Sequence, residues 1–328
     1  MRRLLLLIML SAYYITGFGQ GASVDTYVAV TDHHDENTFA VIISNEHYKH
    51  EVEVPFALND GAVFQRYLIK TLGVPEKNIK FVPDASLNDM NYNLKWLENV
   101  MNVKDGEARA IIYYSGHGMP DDESKKAYLL PIDGYSSEPT SGLSTESLYK
   151  RLGAMKSRQT LVFLDACFSG AKRDGGMMQS ARAVAIKAKK DAVNGKMVIF
   201  SATEAGQTAY PLKDKEHGLF TYYILEGLQK SGGCITLGEL SDRVTKQVNQ
   251  AAVLENEKPQ TPTINAGAGA TDWRNWQFAP EAAKRYETMP RPQVNVGTPT
   301  TPATQQQPQN TQPAQPKQKR SFLRRDQQ

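Results

Sequence analysis

Cysteine is scarce in this chain: only Cys167 and Cys234 occur among 328 residues. Two thiols cannot supply the disulfide framework of a small exported domain, so any fold must rest on a hydrophobic core. Charge of one sign is also lacking, since 38 Lys and Arg face 35 Asp and Glu for a net of +3. Much of that excess sits in two local basic runs, which excludes a basic face and leaves nucleic acid unexpected as a partner. Long apolar runs are missing as well. The run Leu4–Leu10 is far shorter than the roughly 20 residues of a spanning helix, so no stable membrane span is expected. What remains, 40% apolar and 22% charged residues, is ordinary for a globular chain.

The ends are compositionally distinct. Met1-Arg2-Arg3, the apolar run and the small residues Gly17 and Gly19 form a signal peptide over 1–19, with Gln20 as the first mature residue. No cysteine follows the apolar run, so export to a bacterial periplasm, cell surface or medium is expected without a lipid anchor. Residues 20–37 read as a polar, solvated leader. Its His33-His34 pair lies between Asp32 and Asp35, but offers too few ligands for a closed site, and no metal is assigned there. Residues 276–328 read as a C-terminal extension. From about Met289 it turns to Pro, Gln, Thr and Asn, which cannot bury a core and should be disordered.

Between these ends, apolar runs alternate with helical patterns. Strands are predicted at Thr38–Ser44, Ile79–Val82, Ala108–Tyr114, Thr160–Asp165 and Lys196–Ser201. Helices are predicted at Asn59–Leu72, Asp89–Met101, Thr145–Leu152, Gly218–Gln229 and Leu237–Gln250. Continuous apolar strands separated by helices indicate an α/β fold, with a mainly parallel β-sheet flanked by helices in a single catalytic domain over 38–275.

Two of those strands end alike. One runs into Ser115-Gly-His117-Gly118, the other into Asp165-Ala-Cys167-Phe-Ser-Gly170. Fifty positions separate the histidine from the cysteine (167 − 117), the length of one strand–helix–strand crossover. Ligands of open α/β sheets bind beyond the C-terminal strand ends, where both residues fall. A thiol near an imidazole is activated as a thiolate–imidazolium pair, and the imidazole can then protonate a leaving amine. Ser115 and Asp165 stand two positions earlier and, on extended strands, face the same way as His117 and Cys167. Taken singly, a histidine at a strand end is usually a satisfied polar residue and a cysteine usually core. Cys234, after Gly232-Gly233, is taken as a buried apolar residue.

These motifs resemble the caspase and metacaspase peptidase family. Phe39-Ala-Val-Ile-Ile-Ser-Asn45, Ala57-Leu-Asn-Asp60, His217-Gly-Leu-Phe-Thr221 and Gln260-Thr-Pro262 are similar to further landmarks of bacterial caspase-like peptidases. The resemblance implies that His117 is the general acid–base and Cys167 the nucleophile, with the backbone N–H groups of Gly118 and Cys167 as oxyanion hole. It implies no third triad member. Animal caspases carry Gln where this chain has Asp165 and cleave after Asp. Metacaspases carry Asp there and cleave after Arg or Lys, using pocket positions that match Asp60 and Ser115. Two carboxylates would repel an acidic P1 side chain and favour a cation, and Arg over Lys because its fork can pair with a carboxylate.

The stretch 171–195 is basic. A basic-specific peptidase would find P1 candidates there in Lys172, Arg173, Arg182, Lys187, Lys189 and Lys190, so self-cleavage into two fragments is expected. No cofactor is required by this chemistry. Calcium, which many metacaspases need, stays open here, because the loop after the histidine offers only Asp121, Asp122 and Glu123. Two other function classes compete: an inactive binding module of the same fold, and a metal-binding envelope protein using His33, His34, His47 and His50. The presence of both His117 and Cys167 favours a peptidase acting on polypeptides.

Overall fold

The computed structural model describes residues 23–121, 123–168, 191–294 and 296. The signal peptide, the six proposed cut sites and nearly all of the Pro/Gln-rich tail fall outside the described residues. In chain order the strands are β1 (Tyr27–Val30), β2 (Thr38–Ser44), β3 (Ile79–Pro83), β4 (Arg109–Ser115), β5 (Gly118–Pro120), β6 (Ala127–Leu129) and β7 (Leu143–Ser144). Then follow β8 (Gln159–Asp165), β9 (Met197–Ser201), β10 (Pro211–Leu212), β11 (His217–Gly218), β12 (Thr263–Ala266) and β13 (Arg285–Thr288). The helices are α1 (Ala57–Lys70), α2 (Leu87–Lys104), α3 (Thr145–Gly153), α4 (Leu219–Ser231) and α5 (Leu237–Asn256).

A six-stranded sheet in the order β12-β9-β8-β4-β2-β3 forms the centre. Its inner pairs are parallel, and β12 adds an antiparallel edge against β9. The strand sequences explain the position. Every residue of β2 and of β4 is buried, which requires cover on both faces. Alternate residues divide accordingly: Ala40, Ile42, Ile111, Tyr113, Leu161 and Phe163 share a core with residues of α1, α4 and α5. Phe39, Val41, Ile43, Ile112, Tyr114 and Val162 share the opposite core with residues of α2 and α3. In the first core Phe163 lies 5.7 Å from Phe64, 5.2 Å from Phe200 and 6.2 Å from Phe278 between ring centroids. Truncating such a ring to Ala costs about 3–5 kcal/mol.

Local signals set the helix ends. α2 begins before the expected Asp89 because Ser86 caps it, accepting from the Asp89 N–H while the Asp89 carboxylate bonds the Ser86 N–H. Thr236 and Glu239 make the same box at α5. α4 stops at Gly232, whose φ of 61° suits glycine.

Three expectations need correction. The leader 20–37 is not simply solvated: β1 lies within it, with Val28 and Ala29 fully buried against the α1/α4 side. Its polar look comes from the flanking residues, while the apolar part is four residues long. Residues 276–289 also belong to the fold. β13 pairs antiparallel with β1, and Trp276, Phe278 and Ala279 join the core. The buried Arg109 anchors that segment by donating to the carbonyls of Phe278 (2.9 Å) and Gln277 (2.7 Å) and to Gln159 Oε1 (3.0 Å). Burial lowers the Arg109 pKa to about 10, so it is still charged at neutral pH. Cys234 is half-buried rather than buried, because it sits on the turn that ends α4. The described residues up to Val294 form one compact unit. Among the described residues no helix is long and apolar enough to cross a membrane.

Candidate active site

β4 and β8 are paired in register from Arg109↔Gln159 to Ser115↔Asp165. His117 and Cys167 therefore each lie two residues past the last registered pair, at the same sheet edge. Cys167 belongs to the same core as Tyr113 and Phe163, which fits a common facing of the odd-numbered positions. Both are enclosed, His117 at 3% and Cys167 at 6% exposure. Gly118 brings the two chain segments together. A Cβ at Gly118 would stand 2.6 Å from the Cys167 carbonyl oxygen and 2.8 Å from the Phe168 ring, so only glycine permits the approach.

The same residue presents a donor. Leu130 N–H bonds the His117 carbonyl at 3.0 Å, making 117 and 130 the bonded pair of the β5/β6 ribbon. Gly118 and Leu129 are the next, non-bonded pair, which turns the Gly118 N–H out of the ladder.

The imidazole is oriented by backbone. His117 Nε2 lies 2.8 Å from the Val52 carbonyl oxygen, which can only accept, so Nε2 carries the proton. Nδ1 is then the nitrogen left for acid–base work in the neutral ring. Behind the ring stands Tyr48, centroids 4.7 Å apart, whose hydroxyl accepts the His117 N–H at 2.8 Å and reaches the Leu130 carbonyl at 3.3 Å. The loop bearing Tyr48 and Val52 is fastened at both ends. Asp84 accepts the N–H groups of Glu46 (2.8 Å) and His47 (3.0 Å), and the Glu46 carboxylate accepts the Leu58 N–H at the start of α1 (2.9 Å). Burial raises the Glu46 pKa, partly offset by that hydrogen bond.

Cys167 Sγ accepts the Ala209 N–H at 2.8 Å. A donor aimed at sulfur stabilises negative charge there.

The three residues expected in the P1 pocket are contiguous. Ser115 Oγ donates to Asp60 Oδ2 at 3.2 Å, and Ser115 neighbours Asp165 across the sheet. All three are fully buried. Asp165 Oδ2 accepts from Thr221 Oγ1 (2.7 Å) and Thr221 N (3.2 Å) at the start of α4. Asp60, in the first turn of α1, accepts from Gly218 N (3.0 Å) and meets His217 Nδ1 at 2.7 Å.

Elsewhere the candidates disperse. His47 Nδ1 is 2.8 Å from Asp84, His50 stacks on Tyr135 at 4.0 Å, and His33 and His34 line a cavity beside Arg109 at the opposite edge of the sheet. Asp121 accepts from Glu123 N (3.0 Å) and Ser124 Oγ (2.6 Å), a local turn, and Asp122 lies outside the described residues. No group of three metal-ligating side chains converges among the described residues. Sequence reasoning missed Tyr48 and Val52, and it took His217 only as a landmark. The Val52 contact is made by a backbone oxygen, which leaves no side-chain signature.

The family model for the caspase domain matches residues 37–270. Among solved structures, the chain is similar to caspase-1 from Spodoptera frugiperda, at 16% identity and TM-score 0.53 over 78% of this chain and 94% of that one. It is also similar to a protein from Geobacter sulfurreducens, at 19% identity and TM-score 0.53 over 74% of this chain and 98% of that one. At such identity the likeness concerns the fold. No curated protein matches.

Proposed function

The chain belongs to the caspase-domain family of cysteine peptidases, and on that premise we propose that it is an exported endopeptidase with a Cys167–His117 dyad that cleaves after basic P1 residues. One observation carries the reading: the registered ends of β4 and β8 bring a histidine with a backbone-fixed tautomer and a cysteine with a donor at its sulfur to one edge. In the reaction, Cys167 Sγ as thiolate attacks the scissile carbonyl, and the oxyanion takes the N–H groups of Gly118 and Cys167. His117 gives its Nδ1 proton to the leaving amine as the C–N bond breaks. A water then adds to the acyl-enzyme, His117 takes its proton, and the C–S bond breaks to free the acid. Throughout, the Val52 carbonyl holds Nε2–H.

The pocket is formed by Asp60, Ser115 and Asp165. Two buried carboxylates favour a cationic P1 group, Arg ahead of Lys. Self-cleavage within 171–195 follows from the same preference. Calcium would act through the Asp121–Glu123 loop.

The test is a set of fluorogenic peptides with Arg, Lys or Asp at P1, assayed on the protein beginning at Gln20, with and without calcium. Arg turnover that vanishes in Cys167→Ala is expected, together with two fragments of the active protein and one band of the variant. Preference for Asp at P1 would sink the pocket, and activity surviving in Cys167→Ala would sink the dyad.

A further inference from the structure

Beneath Asp60 lies a second layer of charge that neither attack nor proton transfer uses. His217 is completely buried between two carboxylates, with Nδ1 2.7 Å from Asp60 Oδ1 and Nε2 2.6 Å from Asp25 Oδ1. Both acids are buried as well. A neutral imidazole can donate from one nitrogen only and would turn a lone pair on the other carboxylate. The site therefore calls for an imidazolium. Burial, the largest influence, opposes it, but hydrogen bonds to Asp25 and Asp60 and their charges together hold the pKa at about 9.

Among the surrounding titratable groups, Glu46 acts on Asp60 and Tyr67 on Asp25. Arg291 contacts Asp25 Oδ2 at 3.1 Å and also pairs with Glu216, Arg66 donates to the Asp25 carbonyl at 2.6 Å, and the Tyr222 ring stands 6.1 Å from His217. Arg291 and Glu216 are half-exposed and offset one another. The inner triad thus counts two negative charges against one positive. If Asp25 were neutral, the imidazolium would cancel Asp60. With Asp25 charged, the imidazolium is already matched, and Asp60 keeps its charge toward Ser115 and the pocket. Asp60 also gains a fixed orientation, since His217 and Gly218 N bind it from one side and Ser115 from the other.

We propose that His217 and Asp25 are positioning residues for P1 recognition: His217 holds the Asp60 carboxylate in place, and Asp25 cancels the imidazolium so that Asp60 still attracts a cation. The segment from Ser23 to Val30 thereby becomes part of the specificity apparatus, although it touches no substrate. This rests on the reading of Asp60 as a P1 residue.

The experiment compares two peptides identical but for P1, Arg in one and its uncharged isostere citrulline in the other, on the protein from Gln20 to the C-terminus. Wild type is expected to prefer Arg. In Asp25→Asn the Arg/citrulline ratio of kcat/KM should fall about tenfold or more, the worth of one unmatched charge a few ångströms away in a protein. The loss should fall on KM for the Arg peptide. It should shrink as pH rises, because the less supported imidazolium gives up its proton and Asp60 is unmasked. A merely structural role would not produce that recovery. His217→Asn should lower the ratio through KM at every pH. Should that variant fail to fold, the isosteric Asp25→Asn still decides the matter. A wild type without preference for Arg over citrulline would refute the P1 reading itself. A wild type that prefers Arg, with the ratio and its pH profile unchanged in Asp25→Asn, would overturn the positioning role alone.

Discussion

The Asp25–His217–Asp60 stack should make stability depend on pH in a defined window. The His217 pKa is raised from 6.5 to about 9, with burial opposing and the two carboxylates prevailing. A group raised in the folded state stabilises fully below its unfolded value and loses that contribution as pH rises through the folded one. The interval between 6.5 and 9 corresponds to about 3 kcal/mol, at about 1.4 kcal/mol per pH unit. This residue has no solvent exposure, so screening does not reduce the figure. The perturbation is His217→Asn in a Cys167→Ala background, so that the candidate nucleophile is absent from both proteins compared. Urea unfolding followed by far-ultraviolet circular dichroism from pH 7 to 9.5 gives stability for both proteins. Tyrosines and lysines titrate in each and cancel in the difference. The difference should be largest at pH 7 and decline toward pH 9.5 by roughly 1.4 kcal/mol per pH unit near its steepest. A difference that stays flat across the window would show that His217 is neutral in the fold, and the charge argument would fail with it.

Two substitutions probe the proposed dyad without altering His117 or Cys167. Tyr48→Phe removes the hydroxyl that accepts the His117 N–H at 2.8 Å in a buried setting. The orphaned donor should cost about 1–3 kcal/mol in urea unfolding, and kcat should fall with little change in KM. An unchanged kcat would mean that the phenol only fills space. Gly118→Ala forces a Cβ to within 2.6 Å of the Cys167 carbonyl oxygen, a backbone atom that cannot rotate aside. Displacement of the Cys167 sulfur by a fraction of an ångström to 1 Å should lower kcat by up to about 100-fold, read on the Arg peptide. Full activity would show that the close approach of Gly118 to the Cys167 backbone does not position the sulfur.

The inner strands were legible because parallel strands buried on both faces must be apolar without interruption, as Thr38–Ser44 is. The two strand-end motifs at one edge were legible for a related reason. A strand end that passes into Ser115-Gly-His117-Gly118 changes abruptly from apolar to small and polar, and that change is local. The ribbon of β1 and β13 was not legible. Tyr27–Val30 pairs with Arg285–Thr288 across more than two hundred positions, and every residue of β13 is exposed, so neither periodicity nor composition marks it. β12 escaped for a similar reason, since Thr263–Ala266 is short, polar and only half-buried at a sheet edge.

The same distinction runs through the site itself. Each candidate group is held by a partner remote from its own motif: His117 by the Val52 carbonyl, Cys167 by the Ala209 N–H, and Asp60 by His217 and through it Asp25. Two of these partners are backbone atoms, which any side chain could accompany. The third is a buried ion triad whose members are far apart in sequence, and burying them without mutual compensation would cost several kcal/mol per ion. Asp25 therefore looks like one more acid in a polar stretch until the fold closes around it. A chain could keep both strand-end motifs intact and still lose orientation of the His117 imidazole or of the Asp60 carboxylate through changes in Glu46–Phe56 or Ser23–Val30. The motifs bring the candidate side chains to one edge, and the unmarked segments fix how those side chains are oriented.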